Sequence, residues 1–143
     1  MPIQSSALIE VKRTARKGRG VFARTFIPEG TEIERVPVIV FPADEVLNGE
    51  AGTVLQRYVF EWGRGTVALA LGFGSVYNHA FTPNARYDDK GQLTKVFTAI
   101  VDIYPGEEIT VNYNGHEEAT DPVGFEVVED SRDLVEELTS VES

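Results

Sequence analysis

The chain contains no cysteine. That removes disulfides, thiolate nucleophiles and cysteine-ligated zinc together. Histidine occurs only as His79 and His116, too few for a histidine-rich metal site, so no metal is expected. No apolar run is long enough to span a bilayer, and Met1 to Lys17 holds none of signal-peptide length. The expected setting is cytoplasmic, or nuclear in a eukaryotic host, with no membrane partner. Positive charge is also scarce, since the formal net charge is -10. A duplex nucleic-acid binder needs a basic face, so direct contact with nucleic acid is not expected.

A chain of 143 residues, 42% hydrophobic and 25% charged, has the size and balance of one soluble globular domain. Its charge is uneven. Lys12, Arg13, Arg16, Lys17, Arg19 and Arg24 cluster early, whereas beyond Gly106 a long series of Asp and Glu is opposed only by Arg132. Such an acidic surface attracts a basic peptide. Its commoner meaning is a solvated face.

Short apolar segments separated by Gly, Pro and Asn turns predict a mainly β domain, a small barrel or sandwich. Strands are expected at Ala7 to Val11, Val21 to Ala23, Thr31 to Phe41 with an interruption at Pro37, Leu93 to Val101, and Ile109 to Tyr113. Thr53 to Trp62 and Thr66 to Leu71 read as a pair around Gly63-Arg64-Gly65. Pro42 to Leu47 reads as a short helix ended by Asn48-Gly49. Asp130 or Ser131 can cap a final helix that carries Leu134, Val135 and Leu138 on one face.

The segments able to carry chemistry are modest one by one. Gly18-Arg19-Gly20 lets a backbone approach a ligand closely, or is a plain turn. Asn78-His79 offers donors, acceptors and a ring, or is a polar turn satisfying nearby backbone. Pro83-Asn84 is a rigid turn. Glu107 reads as solvated and Glu108 as the anchor of a local hydrogen-bond network. Tyr113 can orient an amine in a pocket, or be a core tyrosine with a satisfied hydroxyl.

Taken in order they say more. Gly18-Arg19-Gly20-Val21-Phe22-Ala23, Tyr58-Val59-Phe60, Asn78-His79-Ala80-Phe81-Thr82-Pro83-Asn84 and Gly106-Glu107-Glu108-Ile109-Thr110-Val111-Asn112-Tyr113 together resemble the SET-domain protein lysine methyltransferases. The resemblance runs from Lys17 to Tyr113. It implies the SET-domain β-clip fold of several small sheets, in which the Asn78 segment and the C-terminal strand pack in a knot-like crossing. It also implies S-adenosylmethionine as cofactor and a basic protein or peptide carrying lysine as substrate. Lys17, Gly18, Arg19 and Gly20 would meet the cofactor largely through backbone, and Asn78 and His79 would hold its ammonium and adenine regions. Tyr77 would line the pocket beside them. Tyr113 matches the family's active-site tyrosine, and Tyr58 a channel aromatic.

Several departures bear on that expectation. Many members close the site with cysteine-rich zinc modules, which this chain lacks. The implied division is a SET domain over 1–120 and an acidic segment over 121–143 acting as a post-SET-like lid, with Phe125 stacking on the adenine or serving only as core. Val111 stands where some members carry the aromatic that limits methylation state. Ala80 replaces a common serine. The alternative function is a catalytically inactive SET-like module that binds S-adenosylmethionine or a peptide. Homodimerisation to complete a peptide groove is left open.

Overall fold

The computed structural model describes residues 3–46, 53–91 and 93–113. The strands are β1 (Ile9–Arg13), β2 (Arg19–Ala23), β3 (Glu32–Pro42), β4 (Val59–Glu61), β5 (Thr66–Ala70), β6 (Asn78–His79), β7 (Ala85–Lys90), β8 (Thr94–Ala99) and β9 (Glu108–Val111). They form two sheets, ordered β1-β2-β9-β6 and β4-β5-β3-β8-β7. The mainly β expectation of several small sheets is met.

β3 organises the larger sheet. Its residues alternate, with Glu34, Val36 and Val38 buried and Arg35, Pro37 and Ile39 exposed, the period-2 pattern of a strand with one face on the core. Pro37 does not interrupt it. β3 pairs with β8 up to Pro37 and with β5 from Val38 onward. The missing proline N–H therefore falls at the change of partner, where it costs little ladder. The Pro37 carbonyl still accepts the Leu71 N–H at 3.0 Å.

Three other expectations need correction. Val54–Tyr58 is a 3-10 turn, so only β4 pairs with β5. Its apolar residues mimic strand alternation, yet Val54, Leu55 and Tyr58 are exposed. The helix after Pro42 is a single 3-10 turn, Ala43–Glu45, and Leu47 to Gly49 lie outside the described residues. β7, with the sequence Ala-Arg-Tyr-Asp-Asp-Lys, had no apolar signal and was not expected, but it pairs with β8 along its whole length.

The smaller sheet brings the late motifs together. β6 runs parallel to β9, with Asn78 opposite Thr110 and His79 opposite Val111. Asn84 locks the crossing: its Nδ2 donates to the Glu108 carbonyl at 2.8 Å, and its Oδ1 accepts the Thr110 N–H at 2.8 Å. This packing of the Asn78–Asn84 segment on β9 is the described part of the implied knot-like crossing. The final helix, Phe125 and the proposed lid over 121–143 lie outside the described residues.

One core joins the sheets. Val21, Ile27, Phe97, Ile103, Ile109 and Val111 are fully buried, and the bridge Ile27 to Ile103 ties two loops across it.

Candidate active site

The loop before β2 is closed by Thr14. Its backbone N–H and hydroxyl both donate to the Gly18 carbonyl, at 2.6 and 2.7 Å, while Lys17 N–H donates to the hydroxyl oxygen at 2.7 Å. Gly18 turns with φ +73, a conformation that side chains disfavour. Across the loop, Asn78 Nδ2 donates to Glu108 Oε2 at 2.6 Å and to the Arg19 carbonyl at 3.2 Å. Lys17 Nζ stands 3.5 Å from Glu108 Oε1. A Cβ on Gly20 would come within 2.5 Å of Glu108 Oε2 and 2.8 Å of Asn78 Nδ2, so a side chain there would displace this hydrogen-bonded pair. Glu108 is thus the hub of a network, as its sequence context suggested.

Beside this hub lies a cavity of about 360 Å³ lined by Arg13, Thr14, Ala15, Arg16, Lys17, Phe22 and Glu108. Arg16 keeps a buried Nη1 with no hydrogen-bond partner among the described residues. A buried guanidinium nitrogen without a partner favours an anionic group within reach.

Tyr113 is held at three points. Its hydroxyl donates to the Tyr77 carbonyl at 2.6 Å, its N–H donates to His79 Nδ1 at 2.9 Å, and its carbonyl accepts the Tyr87 hydroxyl at 3.2 Å. Burial pushes the Tyr113 phenol up, and the ionisable Tyr58, Glu108 and Tyr87 nearby add to the effect. The phenol therefore stays neutral at physiological pH. With its proton committed to a carbonyl, its oxygen lone pairs remain for an amine.

Two of the expected site residues have buried rings. The Tyr77 ring faces the core. It is 2% exposed and stacks on Phe97 at 4.2 Å, and its hydroxyl donates to Glu34 Oε1 at 2.8 Å. What Tyr77 offers the site is its carbonyl. The His79 imidazole likewise turns inward, 3% exposed, with Phe81 edge-on at 4.6 Å. Its Nδ1 accepts the Tyr113 N–H. Tyr58 ends the 3-10 turn half exposed, and Ser75 Oγ fixes its carbonyl at 3.0 Å.

The fold therefore gathers Lys17, Gly18, Arg19, Gly20 and Asn78 around Glu108, and Tyr77 and His79 around Tyr113. Thr14, Glu34, Asn84 and Tyr87 support them and were not singled out as site residues. A signal for Glu34 was present: it is in phase with Val36, Val38 and Val40, on the face that the β3 alternation buries.

The family model described as SET domain matches residues 18–114. A Schizosaccharomyces pombe protein named histone-lysine N-methyltransferase, H3 lysine-37 specific, is 38% identical over 118 residues, which are 81% of this chain and 79% of that protein. The crystal structure of a protein described as a Plasmodium falciparum histone methyltransferase superposes with TM-score 0.60 at 28% identity, over 78% of this chain and 95% of the other. A chain of an active polycomb repressive complex 2 in the stimulated state superposes with TM-score 0.63 at 25% identity, over 77% of this chain but only 15% of that one.

Proposed function

The chain belongs to the SET-domain family of protein lysine methyltransferases, and from that premise we propose that it transfers methyl groups from S-adenosylmethionine to the side-chain amine of lysine in a basic protein segment. The observation that carries this reading is the placement of Tyr113. Its neutral hydroxyl is fixed by the Tyr77 carbonyl, one residue before Asn78 and His79.

The residues present fit the cofactor. Gly20 leaves no room for a Cβ beside Asn78 and Glu108, so backbone lines that approach. The cavity is lined by Arg13, Arg16 and Lys17, cations suited to a carboxylate, and Glu108 offers a carboxylate suited to an ammonium. Lys17 to Gly20, Asn78 and Arg16 would hold the group. When bound, S-adenosylmethionine supplies an electrophilic methyl on a sulfonium that departs with the electron pair as a thioether.

The chain's own part is to deliver a lysine amine with a free lone pair. Tyr113 cannot serve as a base, because its phenol resists ionisation and a neutral phenol is a poor proton acceptor. Its oxygen accepts an N–H of the substrate amine and so directs the lone pair. Burial beside Tyr113 and Tyr58 disfavours the charged ammonium and lowers the substrate lysine pKa. No histidine or carboxylate base is required.

The relative's name makes histone H3 the first acceptor to try. The test is label transfer from methyl-tritiated S-adenosylmethionine to histones and to host lysate, with Tyr113→Phe alongside. Label on lysine that falls by roughly 100-fold or more in the variant is expected. Full activity in Tyr113→Phe would remove the role given to that hydroxyl.

A further inference from the structure

The loop before Asn78 is held at both ends by one buried carboxylate. Glu34, on β3 and 6% exposed, accepts the Phe73 N–H on Oε2 at 2.9 Å and the Tyr77 hydroxyl on Oε1 at 2.8 Å. Phe73 opens the segment and Tyr77 closes it. The turns between them are fixed by Gly74 N–H donating to the Leu71 carbonyl at 2.9 Å and Val76 N–H donating to the Phe73 carbonyl at 2.9 Å.

The glycine that precedes the loop is shaped to this carboxylate. Gly72 has φ +60, and a Cβ there would stand 2.8 Å from Glu34 Oε2 and 2.8 Å from Val36 Cγ1. Gly74 is equally confined, since a Cβ would meet the Ala70 Cβ at 2.6 Å. The loop therefore has little freedom to move without releasing the carboxylate.

We infer that Glu34 is a positioning residue for methyl transfer: by fixing the Tyr77 phenol and the Phe73 amide it sets the Tyr77 carbonyl that receives the Tyr113 hydroxyl. The inference rests on the proposed role of Tyr113. Both Glu34 oxygens are taken by these internal donors. Glu34 acts at one remove, through the loop and then through a 2.6 Å hydrogen bond. The Tyr77 ring, stacked on Phe97, completes the hold. Burial pushes the Glu34 carboxyl up, while the Phe73 amide and the Tyr77 hydroxyl pull it down. Those donors are therefore arranged to support its charged form.

Two mild variants test the inference. Tyr77→Phe keeps the ring on Phe97 and removes only the hydroxyl. Glu34→Gln keeps the shape but turns an amide N–H toward one of its two donors. Ile103→Val, a buried change away from the site, serves as a control for loss of stability, with Tm recorded for all. The first readout is kcat and KM. The second is the Tyr113 resonance in protein labelled with 13Cζ-tyrosine, identified by its absence in Tyr113→Phe.

Expected is a fall in kcat of roughly 10- to 100-fold in both variants, with KM within about twofold, and a displaced Tyr113 resonance. Ile103→Val leaves both readouts in place. A kcat loss no greater than that of Ile103→Val, or a Tyr113 resonance unmoved in both variants, overturns the inference. Absence of methyl transfer by the wild-type chain counts against the proposed function alone. The Tyr113 resonance, which needs no turnover, then decides the role of Glu34. Should one variant fail to fold, the other gives both readouts.

Discussion

Glu34 and Lys95 lie on the same buried face of the larger sheet. Phe97 stands opposite Glu34 in register, and Lys95 stands opposite Val36. Directly opposed residues of an antiparallel pair project to the same side, so an anion and a cation are buried on one surface. They are accommodated by different means. Glu34 is satisfied by two directed hydrogen bonds. Lys95, with no exposed surface, has its ammonium 4.1 Å from the Phe60 ring centroid, 4.3 Å from that of Tyr87 and 5.6 Å from that of Trp62, with an ion pair to Asp89. Directed hydrogen bonds fix backbone and phenol positions, whereas aromatic faces cradle a charge with less angular demand. Each cluster reaches Tyr113, the first through the Tyr77 carbonyl and the second through the Tyr87 hydroxyl.

The contrast can be broken most strongly at Glu34. Glu34→Ala strands the Phe73 amide and the Tyr77 hydroxyl in the core, and urea unfolding is expected to show a loss of about 3 kcal/mol. Gly72→Ala attacks the same cluster from outside, through a positive φ and a close approach to the carboxylate. A loss of about 2 kcal/mol is expected in the same measurement. Lys95→Met should do far less. Asp89 is 42% exposed in its side chain and can be solvated once its partner is gone, and the thioether packs well on aromatic rings. Stability within about 1 kcal/mol of wild type is expected, since replacing a buried ion by an apolar chain is often neutral or favourable.

The finest test is pH, where the two charges should leave opposite signatures. Burial lowers the Lys95 pKa below its ordinary 10.5. The cost of its charge is complete at pH values below the lowered value and fades as pH rises to 10.5. Wild type should therefore gain stability on Lys95→Met across that window. Burial raises the Glu34 pKa above 4.5, so its cost fades as pH falls through the raised value to 4.5, and wild type should gain on Glu34→Gln with acidification. The differences remove the titrations of groups that touch neither residue. Tyr87, whose phenol burial, then Asp89 and Glu61, push up to about 12, lies against Lys95, so the Lys95 comparison is read below that range. Denaturant midpoints across the two ranges would show the slopes, and equal slopes would remove the distinction.

Much of this was legible in the chain, for reasons that differ by residue. β-branched runs marked β3 and β8 because their faces are buried. The Gly18–Ala23, Asn78–Asn84 and Gly106–Tyr113 segments carried the family's pattern. β7 was invisible because its Asp and Lys residues pair by backbone, which composition does not report. Val54–Tyr58 misled because a 3-10 turn with exposed apolar residues has the composition of a strand. Lys95 looks like a surface lysine between Thr94 and Val96, although it is in phase with Phe97 and Ala99. The inward turn of Tyr77 and His79 had no sequence signal, since it depends on Glu34 and Tyr113, residues more than thirty positions away.

The order of the smaller sheet has a consequence for the making of the protein. β9 lies between β2 and β6, yet it is synthesised after both. Until residues 108–113 leave the ribosome, the β1–β2 hairpin presents a bare edge and the Asn78–Asn84 segment has no strand to clasp. The nascent chain thus carries an unfilled slot at the middle of a sheet, a state open to wrong pairing. The strand that fills the slot also delivers Tyr113. Completion of the sheet and placement of Tyr113 are therefore a single event, which follows the synthesis of every other strand described.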